Sequence, residues 1–574
     1  MLATLVVAGV GLLVSSRLAG ARTDLLLARS DLQASRRALS QRDDATARER
    51  LGRATARLRS AHAKATAGPV GLLGNIPLAG SPVRAAADAA RGGLAAVAAG
   101  EAVVDASSSF PTSASAAVDG HDLAAFHAAA VRSQEAVSGA GHHLARARAA
   151  LSGPAGAVLP LVSAPARAMR DEIDRGMREL DGAGRGLTLL ADLTGPTTEA
   201  RLLLLAQDSL ELRPTGGYIG SYGVLHFSRG TVALEKYEAT EDLPAPAPPA
   251  NPPPDLARYL PRQWGLSNAN WWPDFPTSAA AAGELFRRQG GGDIDGVLAL
   301  TELASARLVG ALGSLKLPSY AEPVVEEGFG RRIVHEVELK RPLDQPRKKF
   351  LVELSTAMFD RLFDLPADKL PAVTGAFRHS IAAGDIQLWF ADPAWQRQLA
   401  GTVVAGALPR TDADFLMVVD SNMVASKANL DLRKEVHYKV ERVSGGRLVG
   451  HVRVELRNEG RKTPINPFYG SYLRVYAPAG ARLLGADDPQ TAQRAVDGPF
   501  EVFSEQIVVD PEGNGVATFD YELPARVAAG GRYELTWVRQ PGTPHDRLRV
   551  DVAGASAQSD PARRSLVVQR TLAR

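Results

Sequence analysis

The stretch RLLLLAQDSLELRPTGGYIGSYG, Arg201 to Gly223, decides how the chain is read. Arg201–Ala206 is a short continuous apolar run, the pattern of a strand buried on both faces. Ser221–Phe227 and Thr231–Tyr237 follow as two more strands, joined by Ser228-Arg229-Gly230 as a hairpin turn. Downstream, Pro276 opens a helix with Thr277 and Ser278 in its first turn. Ile294–Leu300 reads as a strand, and Thr301 caps a helix that Gly313 ends. Strands alternating with helices predict an α/β domain over 195–430, continued by a helix at 346–363 and by strands at Ile386–Phe390 and Phe415–Val419. Pro244–Pro254 (PAPAPPANPPP) reads as a solvated, extended loop within it.

The pattern changes on either side. Residues 23–192 are helical, starting with one long helix over 23–66 in which Leu25, Leu32, Leu39 and Leu51 recur at helical spacing. Breaks near 68–82, 107–115 and 154–165 separate three further helices, which predicts an antiparallel bundle or stalk. From 431 the period becomes two: Val436, Tyr438 and Val440 alternate with polar residues, as do Val452, Val454 and Leu456. This predicts an antiparallel β-sandwich over 431–560, then a tail at 561–574. At the other end, Leu2–Val14 is apolar and uncharged but shorter than the roughly 20 residues of a membrane-spanning helix. Residues 1–20 read as a truncated membrane anchor or signal segment. The expected location is the cell membrane, with a single N-terminal anchor and the bulk of the chain extracytoplasmic.

Composition narrows the function. The 574 residues exceed one hydrophobic core, and 45% hydrophobic with 22% charged residues is ordinary for folded protein. The net charge is only +3, and arginine is scattered among Asp and Glu, which argues against nucleic acid as a partner. The absence of cysteine excludes disulfides, thiolate catalysis and Cys-ligated metals. The eleven histidines are dispersed, and no Ser-His-Asp or HExxH arrangement stands out.

The chemistry-bearing residues cluster where open α/β sheets place ligands, just after a buried strand. Arg213 offers a bidentate phosphate contact, and Gly216 and Gly217 let backbone N–H groups approach an anion. Asp208 stands where it could hold a divalent cation against that phosphate. The other reading is a glycine-rich turn with Arg213 in a structural ion pair. Trp271 and Trp272, within NANWWPDFPTS, read as a sugar-stacking surface or as a packed rigid loop. Asp344, Arg347, Lys348 and Lys349 form a basic helix start that could meet pyrophosphate, or a solvated helix turn.

Several strings resemble a family: ELRPTGGYIGSYG, NANWWPDFPTSAAAAGELF, DGVLALTELASARLVGALG, RKKFLVEL and DFLMVVDSNMVASKANLDLRKEVHY. They look like the bacterial envelope proteins grouped as the domain-of-unknown-function 4012 family, over about 195–480. That family is in turn similar to the LytR-CpsA-Psr phosphotransferases, which move polyprenyl-pyrophosphate-linked glycopolymers onto the cell wall with Mg²⁺, Asp and Arg. The resemblance implies a LytR-CpsA-Psr-like α/β core with Asp208 and Asp242 as metal ligands and Arg213 and Arg347 at the pyrophosphate. Thr240-Glu241-Asp242 replaces the family's Pro-Arg-Asp, and Pro214 and Thr215 replace an acidic residue, so the site is altered. The resulting expectation is a membrane-anchored, extracytoplasmic envelope protein that binds a polyprenyl-linked glycan or wall polymer. The alternatives are an active glycopolymer phosphotransferase using Mg²⁺, and a purely structural surface protein.

Overall fold

A computed structural model of the chain describes residues 2–40, 43–74, 80–109, 123–150, 160–259, 264–340, 348–489, 492–552, 554–560 and 563–571. The chain divides into two compact units that meet in sequence at Thr198 and Glu199.

The first unit is helical: α1 (Leu2–Ser40), α2 (Asp44–Thr66), a short α3 (Pro69–Leu73), α4 (Ser81–Ser109), α5 (Ala124–Ala150) and α6 (Pro160–Leu193). The single helix expected over 23–66 is two helices. Asp43 caps α2 by accepting a hydrogen bond from the Thr46 N–H at 3.0 Å, which satisfies a donor that an uninterrupted helix would pair internally. Lys64 pairs with Asp24 at 2.7 Å and Arg57 with Asp31 at 2.8 Å, so α1 and α2 run antiparallel. The interior is dominated by alanine, with Leu25, Leu51, Leu58, Leu144 and Ile173 as its larger side chains. Small residues let the helices close up: a Cβ at Gly93 would lie 2.4 Å from Leu58 Cδ2, and one at Gly100 2.8 Å from Leu51 Cδ2. Leu2–Val14 forms the start of α1. Among the described residues no helix is long and apolar enough to cross a membrane.

The second unit begins with a five-stranded sheet built from β1 (Glu199–Asp208), β2 (Tyr218–Ser228), β3 (Thr231–Ala239), β4 (Gly296–Thr301) and β5 (Ile386–Phe390). Its order is β3-β2-β1-β4-β5; β1 and β4 are parallel and the other pairs antiparallel. Its helices are α7 (Pro254–Ala257), α8 (Phe275–Arg288), α9 (Glu302–Leu312), α10 (Phe329–Val334), α11 (Lys349–Phe363), α12 (Leu370–Ala383) and α13 (Pro393–Leu399). Thr301 caps α9 and Gly313 ends it at φ 89°, as the sequence predicts. The Pro-rich segment is not simply solvated. The Ala247 N–H donates to Arg288 O at 2.8 Å, and Gln289 Nε2 donates to Pro244 O at 2.9 Å, so the first residues of the segment are tied to the end of α8.

Twelve strands complete this unit: β6 (Asp414–Asn422), β7 (Leu432–Arg442), β8 (Leu448–Asn458), β9 (Tyr469–Pro478), β10 (Arg482–Ala486), β11 (Gln493–Asp497), β12 (Phe500–Val509), β13 (Asn514–Glu522), β14 (Arg532–Val538), β15 (Arg547–Val552), β16 (Ala555–Gln558) and β17 (Ser565–Thr571). They form two sheets, β10-β13-β8-β7-β15-β16 and β11-β12-β9-β6-β14-β17, whose inner faces share one core. Three expectations are corrected here. The strand at Phe415–Val419 belongs to this sandwich through its pairing with β9 and β14, not to the five-stranded sheet. It misleads because it is buried on both faces: Leu416 and Val418 face the shared core, while Phe415, Met417 and Val419 pack with Tyr476 and Phe500. The sandwich is mixed, because β6–β14 and β7–β15 pair in parallel, and period-two patterning does not reveal a neighbour's direction. The expected tail carries β17, paired with β14.

Candidate functional site

A cavity of about 500 Å³ opens at the C-terminal ends of β1 and β4, where an α/β sheet leaves its loops free to hold ligands. One wall is apolar, built by Phe329, Ile333 and Val337 around α10 and by Leu351, Leu354 and Met358 of α11. The lining also carries charge, in Asp208, Glu211, Arg213, Glu302, Glu338 and Lys427.

Lys427, from the loop after β6, organises this charge. Its Nζ lies 2.8 Å from Asp208 Oδ2, 3.2 Å from Glu211 Oε2 and 3.9 Å from Glu338 Oε1. Burial pushes the Lys427 pKa down, but the carboxylates of Asp208 and Glu211 outweigh it and hold the ammonium charged. Arg213 is buried and committed to protein partners. Its Nη2 lies 3.0 Å from Glu211 Oε1, Nε donates to Asn268 Oδ1 at 3.1 Å, and Nη1 donates to the carbonyls of Leu212 and Asn422. This is the structural ion pair, not an open phosphate fork. Glu302, the first residue of α9, has no hydrogen-bonding or ion-pairing partner among the described residues. Burial first, then the charges of Asp208 and Asp385, push its carboxyl pKa up to about 8.

The remaining expected residues separate. The cavity lining includes Gly220 but neither Gly216 nor Gly217. Gly216 at φ 135° and Gly217 at φ 158° serve the fold: a Cβ would lie 2.5 Å from Thr301 Cγ2 at the first and 2.2 Å from the Asp208 carbonyl oxygen at the second. Asp242 is exposed in the short 3₁₀ turn Thr240–Asp242, and its neighbour Glu241 lines the cavity instead. Trp271 is buried, stacked on Tyr472 at 5.8 Å and with the Arg474 guanidinium over its ring at 4.4 Å from the centre. Trp272 packs edge-on to Trp264 at 5.7 Å. Packing, not sugar stacking, explains the pair. Asp344 and Arg347 lie outside the described residues. Lys348 lines the cavity and donates to Gly220 O.

The residues do not fit the expected Mg²⁺. Asp208 Oδ1 accepts from the Leu210 N–H at 3.0 Å and Oδ2 from Lys427, so an ammonium stands where the metal would. Asp242 is not in the same lining. Among the described residues no group of three or more acidic or histidine side chains could hold a metal.

Residues 198–329 match the family described as Protein of unknown function (DUF4012). No curated protein matches the chain. A solved structure, that of a "putative nutrient binding protein" from Legionella pneumophila subsp. pneumophila str. Philadelphia 1, is similar at 14% identity and a TM-score of 0.17. The likeness covers 24% of this chain and about half, 53%, of that one, and so low a score carries no argument. The DUF4012 segment supplies Asp208, Glu211, Arg213 and Glu302, whereas Lys427 and Glu338 come from beyond it. Lys427 lies within the string DFLMVVDSNMVASKANLDLRKEVHY, but its partnership with Asp208 is hidden from motif reading because 219 residues separate the two. Glu302 reads from the sequence only as part of a helix start; its signal is an acidic residue directly after a buried strand.

Proposed function

We propose that this is a membrane-tethered bacterial envelope protein that binds a polyprenyl-linked glycan without transforming it, the lipid lying in the cavity beside β1. The observation that carries this reading is that one cavity is lined both by a set of apolar side chains from α10 and α11 and by a charged, hydrogen-bonding cluster around Lys427. Such a cavity matches an amphiphile, since apolar chains gain by leaving water while polar heads need partners. Carboxylates are acceptors only, and Asp208, Glu211 and Glu338 suit the hydroxyl donors of a sugar. Binding is favoured over transfer because Arg213 and Lys427 are neutralised by adjacent carboxylates and the acidic pair does not fit Mg²⁺. The apolar Leu2–Val14 and the likeness of the Arg201–Asp208 strand to the LytR-CpsA-Psr proteins support the envelope setting.

The test is titration of the full chain, in detergent, with a fluorescent polyprenyl phosphosugar. Saturable binding is expected, weakened at least tenfold by Val337→Trp and by Leu354→Trp, each of which fills the apolar wall. Far-UV spectra and melting confirm folding of both variants, and Ser355→Phe provides a third obstruction from α11. Absence of saturable binding, or full binding by all folded variants, would overturn the reading.

A further inference from the structure

We propose that a second recess, lined by Ser209, Glu302, Arg307, Arg331, Arg433 and His545, is a binding site for an oxyanion, the phosphate or carboxylate group of a polar molecule. The recess measures about 440 Å³ and shares Glu302 and Phe329 with the amphiphile cavity, so the two are neighbours across one side-chain wall. The proposal does not rest on the amphiphile reading, and either can fail alone.

Part of the lining presents hydrogen-bond donors. Ser209 is only 4% exposed, and its Oγ has no hydrogen-bond partner in the described structure, which is unusual for a buried hydroxyl. Glu302 lies in the same lining. Asp208 from β1 and Asp385 ahead of β5 face this carboxyl, and Arg307 of α9 opposes them. With burial, the balance keeps Glu302 protonated at neutral pH, so it offers an O–H donor to an anion.

Three arginines of the lining supply the charge. Arg307 is held by Asp385 at 2.6 Å. Arg331 meets Asp431 at 2.7 Å through one nitrogen and its side chain is 67% exposed; Arg433 meets Glu459 at 3.4 Å and is 40% exposed. Exposed pairs of this kind are weakly bound and can re-aim a guanidinium toward a ligand. Burial and the nearby Arg433 lower the His545 pKa, so at neutral pH its imidazole is uncharged and able to donate or accept. Glu326 is the carboxylate that opposes an anion on this lining. Within the lining itself three arginines stand against Glu326 and a protonated Glu302, their carboxylate partners Asp385, Asp431 and Glu459 lying outside it, whereas carboxylates outnumber cations in the lining of the first cavity.

The experiment is calorimetric titration of the full chain with inorganic phosphate, methyl phosphate, acetate and glucuronate. The phosphate and carboxylate arms identify which oxyanion is preferred. Saturable binding of at least one probe at pH 6.5 is expected. The Arg331→Ala/Arg433→Ala double variant should weaken it at least tenfold, and Ser209→Ala severalfold. Wild-type binding should fall as pH rises past about 8, where Glu302 ionises. Glu302→Gln should remove that fall, since an amide keeps a donor without gaining charge. Failure of every probe to bind, or undiminished binding by a double variant that melts like wild type, would overturn the proposal. A wild-type pH profile matching that of Glu302→Gln would overturn it for the Glu302 donor.

Discussion

Lys427 shows how much one side chain decides in the charged cluster of the cavity. Its ammonium is the shared counter-ion of Asp208 and Glu211, all three side chains being less than a quarter exposed. Removing one partner of such a group leaves uncompensated charge in a low-dielectric setting, at a cost of about 3–5 kcal/mol. Lys427→Ala should therefore lower the stability of the second unit by about 3 kcal/mol, measured by denaturant unfolding. A loss below about 0.5 kcal/mol would mean the cluster is solvated like a surface pair. Asp414 makes the complementary case in the sandwich core. It is fully buried, accepts hydrogen bonds from Tyr438 and Tyr533, and burial pushes its pKa up from 3.8 to about 6 despite those donors. A folded pKa above the unfolded one stabilises the protein below pH 3.8, and that contribution is lost as pH rises to about 6. Asp414→Asn should flatten the decline in stability between pH 4 and 6, a span of about 3 kcal/mol for a two-unit shift. Parallel slopes for wild type and variant over that range would exclude it.

At the scale of elements, the Pro-rich segment and the Gly216-Gly217 turn show what local sequence could and could not reveal. A run such as Pro244–Pro254 lacks donors for regular structure, so its irregularity was legible. Its attachment was not, because that depends on Gln289, a single polar residue at the far end of α8. Gln289 is 6% exposed; its Oε1 accepts from the Leu266 N–H at 2.7 Å while Nε2 donates to Pro244 O. Gln289→Ala would strand both backbone groups, costing about 1–3 kcal/mol each where they stay buried. Limited proteolysis should then cut within 244–254 in the variant and leave wild type intact there. Equal cutting of both would show that the clamp does not hold the segment. The glycines were legible as conformationally special, and the partner they approach was not. Gly217 meets the Asp208–Ser209 backbone, a contact set by the return of the chain from β1 into β2. Glycine content therefore marked the turn without distinguishing a ligand's cradle from a protein's own close packing.

Across the whole molecule, patterning gave the division into helices followed by strands, since periods of 3.6 and two are properties of local sequence. Strand direction and the placement of β6 were hidden, because they depend on pairings more than 50 residues apart: Met417 with Tyr476, and Leu535 with Asp414. The two units also differ in how they are packed, and this sets their thermal behaviour. The helical core rests mainly on alanine methyls with a few leucines between them, whereas the sandwich core brings together Tyr438, Phe503, Phe519, Tyr521 and Trp537. Buried apolar area scales with side-chain size, so the helical unit gains less per residue and should unfold first. Differential scanning calorimetry of the full chain should resolve two transitions. Leu58, fully buried beside Gly93, is one of the few large anchors of the helical core. Leu58→Ala should cost that unit about 2–5 kcal/mol and move the lower transition down. The upper transition should stay in place, as a mutation in one cooperative unit does not alter the other's internal contacts. A single transition that shifts as a whole in the variant would show that the two units unfold as one.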